Sequence, residues 1–283
     1  MRRLALLLTL LLSPALLCAS EFSDLYVIPV AGHVTGLNGN TWMSDVAIQN
    51  FQSTPLTVQI VVIESGEGMA ENVTPGGSVT IPANGTRILR DVLNGHRSGD
   101  TIGAIMVGAD RPFAISSRAY ISNAAGATQG QSVAPLRNFL DKSLAHADLS
   151  VATAYVAGLT SNSHYRTNLG FVAGSASPSG MMLEVTLRNA SGAAIGTRTF
   201  TIPGNGFEHV QFSSSLLSNQ SFDEGSATFR IVSGDGSVAP YASVIDNLSS
   251  GGFFIGSQFA PNAPFASGAT TFRILFDQMR NTR

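Results

Sequence analysis

The sequence predicts an all-β protein of two tandem antiparallel β-sandwich units behind a cleaved leader. Three observations carry this reading. The 283 residues are 44% hydrophobic but only 12% charged, with 29 glycines and 12 prolines. Matched blocks recur in the same order at offsets of 121 to 126 residues. Apolar residues come in short runs broken by turn residues about every 8–12 positions, as strands in a sandwich do. A soluble protein usually carries about 25% charge. Low charge with high hydrophobicity excludes a disordered chain, and the scarcity of Glu, Lys and Arg excludes a long coiled coil. A formal net charge of −2 leaves no electrostatic footprint for nucleic acid or an anionic membrane.

Residues 1–20 read as a signal peptide. Arg2 and Arg3 precede an apolar run from Leu4 to Leu17, and Cys18-Ala19-Ser20 supplies small residues for a cut before Glu21. The run is too short for a bilayer core of about 30 Å, and Pro14 interrupts it, which disfavours a membrane anchor. Lipidation of Cys18 is the other alternative, disfavoured by Leu17 where a small residue is wanted. Cleavage removes the only cysteine and two arginines, leaving 14 basic against 18 acidic residues. The exported chain then has neither disulfide nor thiol and rests on core packing. No later stretch reaches 18 apolar residues, so no membrane span is expected after cleavage.

The repeat defines the organisation. Val79-Thr80-Ile81-Pro82-Ala83-Asn84-Gly85 returns as Phe200-Thr201-Ile202-Pro203-Gly204-Asn205-Gly206, and Trp42-Met43-Ser44-Asp45 aligns with Tyr165-Arg166-Thr167-Asn168. Repeat 1 is placed at 24–136, a linker at 137–149, repeat 2 at 150–262, and a tail at 263–283 with one expected strand, Thr271 to Phe276. Within repeat 1, strands are expected over Ser44 to Asn50, Leu56 to Ile63, Val79 to Ile81, Thr101 to Val107 and Phe113 to Ser122. Gly108-Ala109-Asp110-Arg111-Pro112 reads as a hairpin loop between the last two. Repeat 2 follows the same plan, with strands over Thr167 to Val172, Met181 to Leu187, Thr197 to Ile202, Ser226 to Val232 and Val238 to Ile245. About seven short strands per unit is the pattern of an immunoglobulin-like sandwich. Arg137 to Ala147 is expected as a short helical turn between the copies. An outer-membrane barrel is the competing architecture. It needs strands of about 9–11 residues and aromatic girdles, where this chain has one Trp and five Tyr.

Ser44-Asp45 followed by Asn50, the turn Ile81-Pro82-Ala83-Asn84-Gly85, and the run from Pro112-Phe113 to Arg118-Ala119-Tyr120 carry a resemblance. The pattern resembles exported bacterial proteins of unknown function built of tandem Ig-like repeats. Repeat 2 departs from it, with Ala173 in place of Asn50 and Ser243 near the place of Arg118. The resemblance implies a surface or periplasmic module and brings no catalytic residues with it.

No GxSxG, GxxxxGK[ST], GxGxxG or HExxH motif occurs, so neither cofactor nor metal is expected. Candidate ligand residues are the matched pairs Trp42 and Tyr165, and His33 and His164, the histidines being placed in loops before a strand. An aromatic at the same place in both copies is expected in the core; an exposed pair would stack on sugars. Asp45 and Arg118 in repeat 1 become Asn168 and Ser243 in repeat 2, so both charges vanish together, as a contacting ion pair predicts. The expectation is a non-catalytic exported interaction or structural module with a protein or glycan partner. The alternatives are a carbohydrate-binding module using its loop aromatics and, behind it, a hydrolase without a recognisable motif.

Overall fold

A computed structural model describes residues 22–36, 39–66, 73–122, 126, 128–137, 144–145, 152–175, 178–234 and 236–261. The leader with its Cys18 and the expected strand Thr271 to Phe276 lie outside these residues. The described residues are all-β. They form β1 (Ser23–Thr35), β2 (Thr41–Gln49), β3 (Leu56–Glu64), β4 (Val73–Ile81), β5 (Thr86–Leu89), β6 (Thr101–Ser122), β7 (Thr128–Val133) and β8 (Leu136–Arg137). There follow β9 (Leu144–Ala145), β10 (Ala152–Ser161), β11 (Tyr165–Ser175), β12 (Met181–Arg188), β13 (Ala194–Ile202) and β14 (Gly206–Ser213). The last four are β15 (Phe222–Gly234), β16 (Ser237–Asp246), β17 (Gly252–Gly256) and β18 (Gln258–Pro261). No helix among the described residues is long and apolar enough to cross a membrane.

Every named strand pairing is antiparallel. Before residue 138 one layer runs β4-β3-β6-β1-β8 and the other β5-β2-β6-β7, with β6 belonging to both. After residue 151 the layers run β13-β12-β15-β10-β18 and β14-β11-β16-β17, and β9 is added to β16. The inward residues alternate as sandwich strands should: Leu56, Val58, Ile60 and Val62 of β3 are buried while Thr57 and Gln59 are exposed. They close a core with Ile28, Val46, Ile48, Ile105 and Phe113. Its counterpart centres on Leu169, Phe171, Leu183, Val185, Phe200 and Phe229. Burying each such side chain contributes roughly 1.5–3 kcal/mol.

The expected hairpin at Gly108 to Pro112 is absent: β6 runs unbroken for 22 residues. Its first part pairs with β3 up to Gly108 and with β1 up to Gly108 and again at Phe113, and its second pairs with β2 from Ala114. Pro112 falls in the crossing between layers, where it has no ladder partner, so its missing N–H costs nothing. After residue 151 the corresponding passage is divided into β15 and β16, with Gly234 at φ 83° at the break. Strands are also longer than expected, 13 residues in β1 and β15. Most of the helical turn expected over Arg137 to Ala147 lies outside the described residues; of that segment, Arg137 belongs to β8 on β1, and Leu144–Ala145 form β9 on β16.

Two turns form as their sequences require. Asn84 and Asn205 lie at φ 54° and 57°, the left-handed region Asn tolerates. Asn50, fully buried at the end of β2, pins the first: its amide donates to the carbonyls of Thr54, Ile81 and Pro82 and its Oδ1 accepts from Gln52 N–H.

A third apolar cluster joins β1, β3 and β6 to β11 and β16: Val27, Ile63, Ala104, Val172 and Ala239, none more than 1% exposed. Nine consecutive residues of β16 are buried because both of its faces are covered. Val238, Ala242 and Val244 face their own core, while Ile245 packs into the other one.

Candidate functional site

Two polar constellations stand out. The first centres on Asp45. Its position in β2 sets it across the ladder from Arg118 of β6. Its Oδ2 accepts from Arg118 Nη2 at 2.9 Å and Arg90 Nη1 at 2.6 Å; its Oδ1 accepts from Tyr120 Oη and Asp91 N–H at 3.0 Å each. The Arg118 guanidinium also lies 4.1 Å from the Tyr120 ring centre. Burial alone would raise the Asp45 pKa, but the Asp91 N–H, Arg118, Arg90 and Tyr120 outweigh it and lower it to about 2. So weak a base has little use in proton transfer near neutral pH. Asp45 acts instead as a tie between β2, β6 and the segment after β5.

The second constellation lies at the junction of the two sets of layers. The Gly66 N–H donates to the His209 carbonyl at 2.9 Å and the Gln211 N–H to Ser65 Oγ at 3.2 Å. His209 is fully buried, its Nε2 2.8 Å from Tyr241 Oη, which itself donates to Gln211 Oε1 at 3.3 Å. Burial, opposed by the Pro29 carbonyl, depresses the His209 pKa to about 3, and burial pushes that of Tyr241 up. Both are neutral in the physiological range. Gly170 makes room for this pair, since a Cβ there would enter the Tyr241 ring.

Beside this network the junction leaves a cleft of about 200 Å³. Trp42, Ser44 and Gln131 line it from one side and Arg166, Asn168, Gln211 and Ser243 from the other. Arg166 is half-buried, and its Nη1 donates to Asn247 Oδ1 at 3.0 Å. Ser243 Oγ donates to Gln131 Oε1 at 3.0 Å, bridging the two sides. A larger depression, about 790 Å³ around Asp24, Pro55, Asp110 and Arg111, is broadly open to solvent.

The residues singled out from the sequence fall in different places. Asp45 and Arg118 meet, and Asn168 and Ser243 occupy the equivalent cross-ladder pair in β11 and β16. Trp42 is 9% exposed and belongs to the first core, whereas Tyr165 is 38% exposed, so they form no exposed aromatic pair. His33 is not in a loop: it lies within β1, opposite Thr101, with Nδ1 2.8 Å from Asp91 Oδ2. His164 is exposed in the turn between β10 and β11. Sequence reading missed Arg90, Asp91, Arg166 and the buried His209–Tyr241 pair. No three His, Cys, Asp or Glu among the described residues are grouped to hold a metal ion.

No known family profile matches the chain, and no curated protein does. Among solved structures it is similar to the apo lectin of Pleurotus ostreatus, at 8% identity over 87% of this chain and 79% of that one, with a TM-score of 0.22. The infectious bursal disease virus Gx strain follows at 11% identity, over 91% and 84%, with a TM-score of 0.16. A Bacteroides uniformis beta-glucuronidase matches at 8%, over 81% of this chain and 25% of that one, at 0.15. TM-scores this low establish neither a shared fold nor a shared activity.

Proposed function

We propose that this chain is a non-catalytic, exported module of the bacterial cell envelope, built of two duplicated Ig-like sandwich units, that works by binding at the junction between them. The observation that carries the reading is the cleft, whose walls come from both units and whose lining mixes amides, hydroxyls, an indole and one guanidinium. The duplication is supported by the equivalent pairing orders β4-β3-β6-β1-β8 and β13-β12-β15-β10-β18, and β5-β2-β6-β7 and β14-β11-β16-β17. Export rests on the leader sequence. With Trp42 in the first core and Tyr165 exposed, the cleft is a better supported site than a pair of loop aromatics.

Two measurements test this. Expressed in a bacterium, the full chain is expected outside the cytoplasm with Glu21 as its first residue by mass spectrometry; an uncut or acylated chain contradicts the address. A library of small polar fragments, screened by saturation-transfer NMR, is expected to give hits that compete with one another. They should disappear in Asn168→Trp, which fills the cleft. Hits that persist in the filled variant, or no hits, overturn the binding site.

A further inference from the structure

The cleft contains a cation, Arg166, with no carboxylate partner among the described residues. Arg166 projects from β11 beside Ile245, its cross-ladder partner, which is packed into the first core. A guanidinium offers five N–H donors. The structure gives Arg166 one acceptor, Asn247 Oδ1, and pairs it with no carboxylate among the described residues. Elsewhere several acids of low exposure have cationic partners: Asp45 has Arg90 and Arg118, Glu64 has Arg97 and Glu184 has Arg230. Burial draws the Arg166 pKa down from the ordinary arginine value. A half-buried charge without an opposing one is unfavourable, and an incoming anion would relieve it.

The polar part of the lining, set among Val30, Val34, Ile102 and Ile245, fits an anion of a definite kind. Arg166 is the only charged residue among the described residues around the cleft, so nothing there repels a negative group. Asn168, Gln131, Gln211, Ser44 and Ser243 are neutral donors and acceptors suited to hydroxyls. The planar fork of an arginine matches a carboxylate in two parallel hydrogen bonds. One positive charge balances a monocarboxylate; a phosphate monoester dianion would need a second cation, which the lining lacks. The volume of about 200 Å³ is below the roughly 300–1,000 Å³ of sites for drug-sized ligands, so it admits one small unit.

We propose that the cleft binds a small carboxylate-bearing polyol, the size of one sugar acid, with Arg166 holding the carboxylate and Asn168, Gln131 and Gln211 sharing the hydroxyls. This rests on the reading of the junction as a binding site.

The test is calorimetric titration of the full chain with galacturonate and glucuronate, beside galactose, glucose and glucose 6-phosphate. The acids are expected to bind about tenfold more tightly than the neutral sugars, the worth of a charge-assisted pair. Arg166→Gln should erase that preference, and Arg166→Lys should keep part of it. Asn168→Asp provides a variant independent of any folding defect in Arg166→Gln, since its new carboxylate pairs with Arg166 and should abolish acid binding while leaving the melting temperature unchanged or higher. Neutral sugars binding as tightly as the acids, tighter binding of the phosphate ester, or acid binding that survives Arg166→Gln each overturn the assignment while leaving the cleft a binding site. No binding of either acid at millimolar concentration overturns the assignment too, and the filled-cleft variant Asn168→Trp decides separately whether the junction binds at all.

Discussion

Asp45→Ala is expected to destabilise the protein by about 3 kcal/mol, measured by urea unfolding at neutral pH. The carboxylate is 4% exposed and accepts four well-formed hydrogen bonds. Removing it leaves the Asp91 N–H and the buried Tyr120 hydroxyl without their acceptor, and it leaves two guanidinium groups together. Those cations are the cheaper half of the cluster, because the side chains of Arg90 and Arg118 are 62% and 42% exposed and can turn to water. Arg118→Ala alone should therefore cost only about 1 kcal/mol. The double variant should cost clearly less than the sum, and strictly additive losses would show that the pair does not interact. Acid should reproduce part of the effect. The folded-state pKa of Asp45, about 2, is depressed below the reference value of 3.8. Its contribution is therefore complete above about pH 4 and is lost as pH falls toward 2, amounting to about 2 kcal/mol. Asp45→Asn should flatten stability across that window; an unchanged slope would mean that another carboxylate governs it.

The reach of the sequence can be judged on particular residues. The Asp45–Arg118 contact was legible because the matched sequence block carries Asn168 and Ser243, neither charged, and both pairs sit directly across a ladder. The Asn84 and Asn205 turns were legible because their backbone demand is local. Arg90 and Asp91, which complete the Asp45 cluster, sit in the segment after β5, where no hydrophobic period ties them to β2. The continuity of β6 was hidden because Gly, Asp, Arg and Pro write the same signal whether a chain reverses or merely crosses from one layer to the other. His33 was misplaced for a related reason: Gly32 and His33 read as the start of a loop, yet β1 runs on through them to Thr35. The cleft was illegible altogether. Its walls come from β1, β2, β6, β7, β11, β14 and β16, and no local pattern says that the β11 face bearing Arg166 and Asn168 will turn toward the other unit. Consecutive apolar residues such as Phe171 and Val172 predict a strand buried on both faces, without naming what covers the second one.

That second face yields the other large effect. Val172→Asp is expected to cost about 4 kcal/mol and to split the thermal transition in two, measured by differential scanning calorimetry. Val172 is fully buried against Val27, Ile63, Ala104 and Ala239, and the adjoining Ser65, Gly66 and His209 join the two sides through backbone hydrogen bonds. With this apolar contact intact, the two units should melt as one, with the calorimetric and van't Hoff enthalpies agreeing. A carboxylate at residue 172 finds no cation among the cluster's members, and His209, held neutral by its burial, supplies none. The least costly response is separation of the units, which hydrates the new charge at the expense of the contacts Ile245 makes with the first core. Separation also dismantles the cleft, so ligand binding should fail in Val172→Asp before either core unfolds. Val172→Ala removes volume without adding charge and should keep a single transition, lowered by about 1–2 kcal/mol. Two transitions in the unsubstituted protein would mean that the junction does not couple the units. A single transition at an unchanged midpoint in Val172→Asp would mean that the new carboxylate reaches water without parting them.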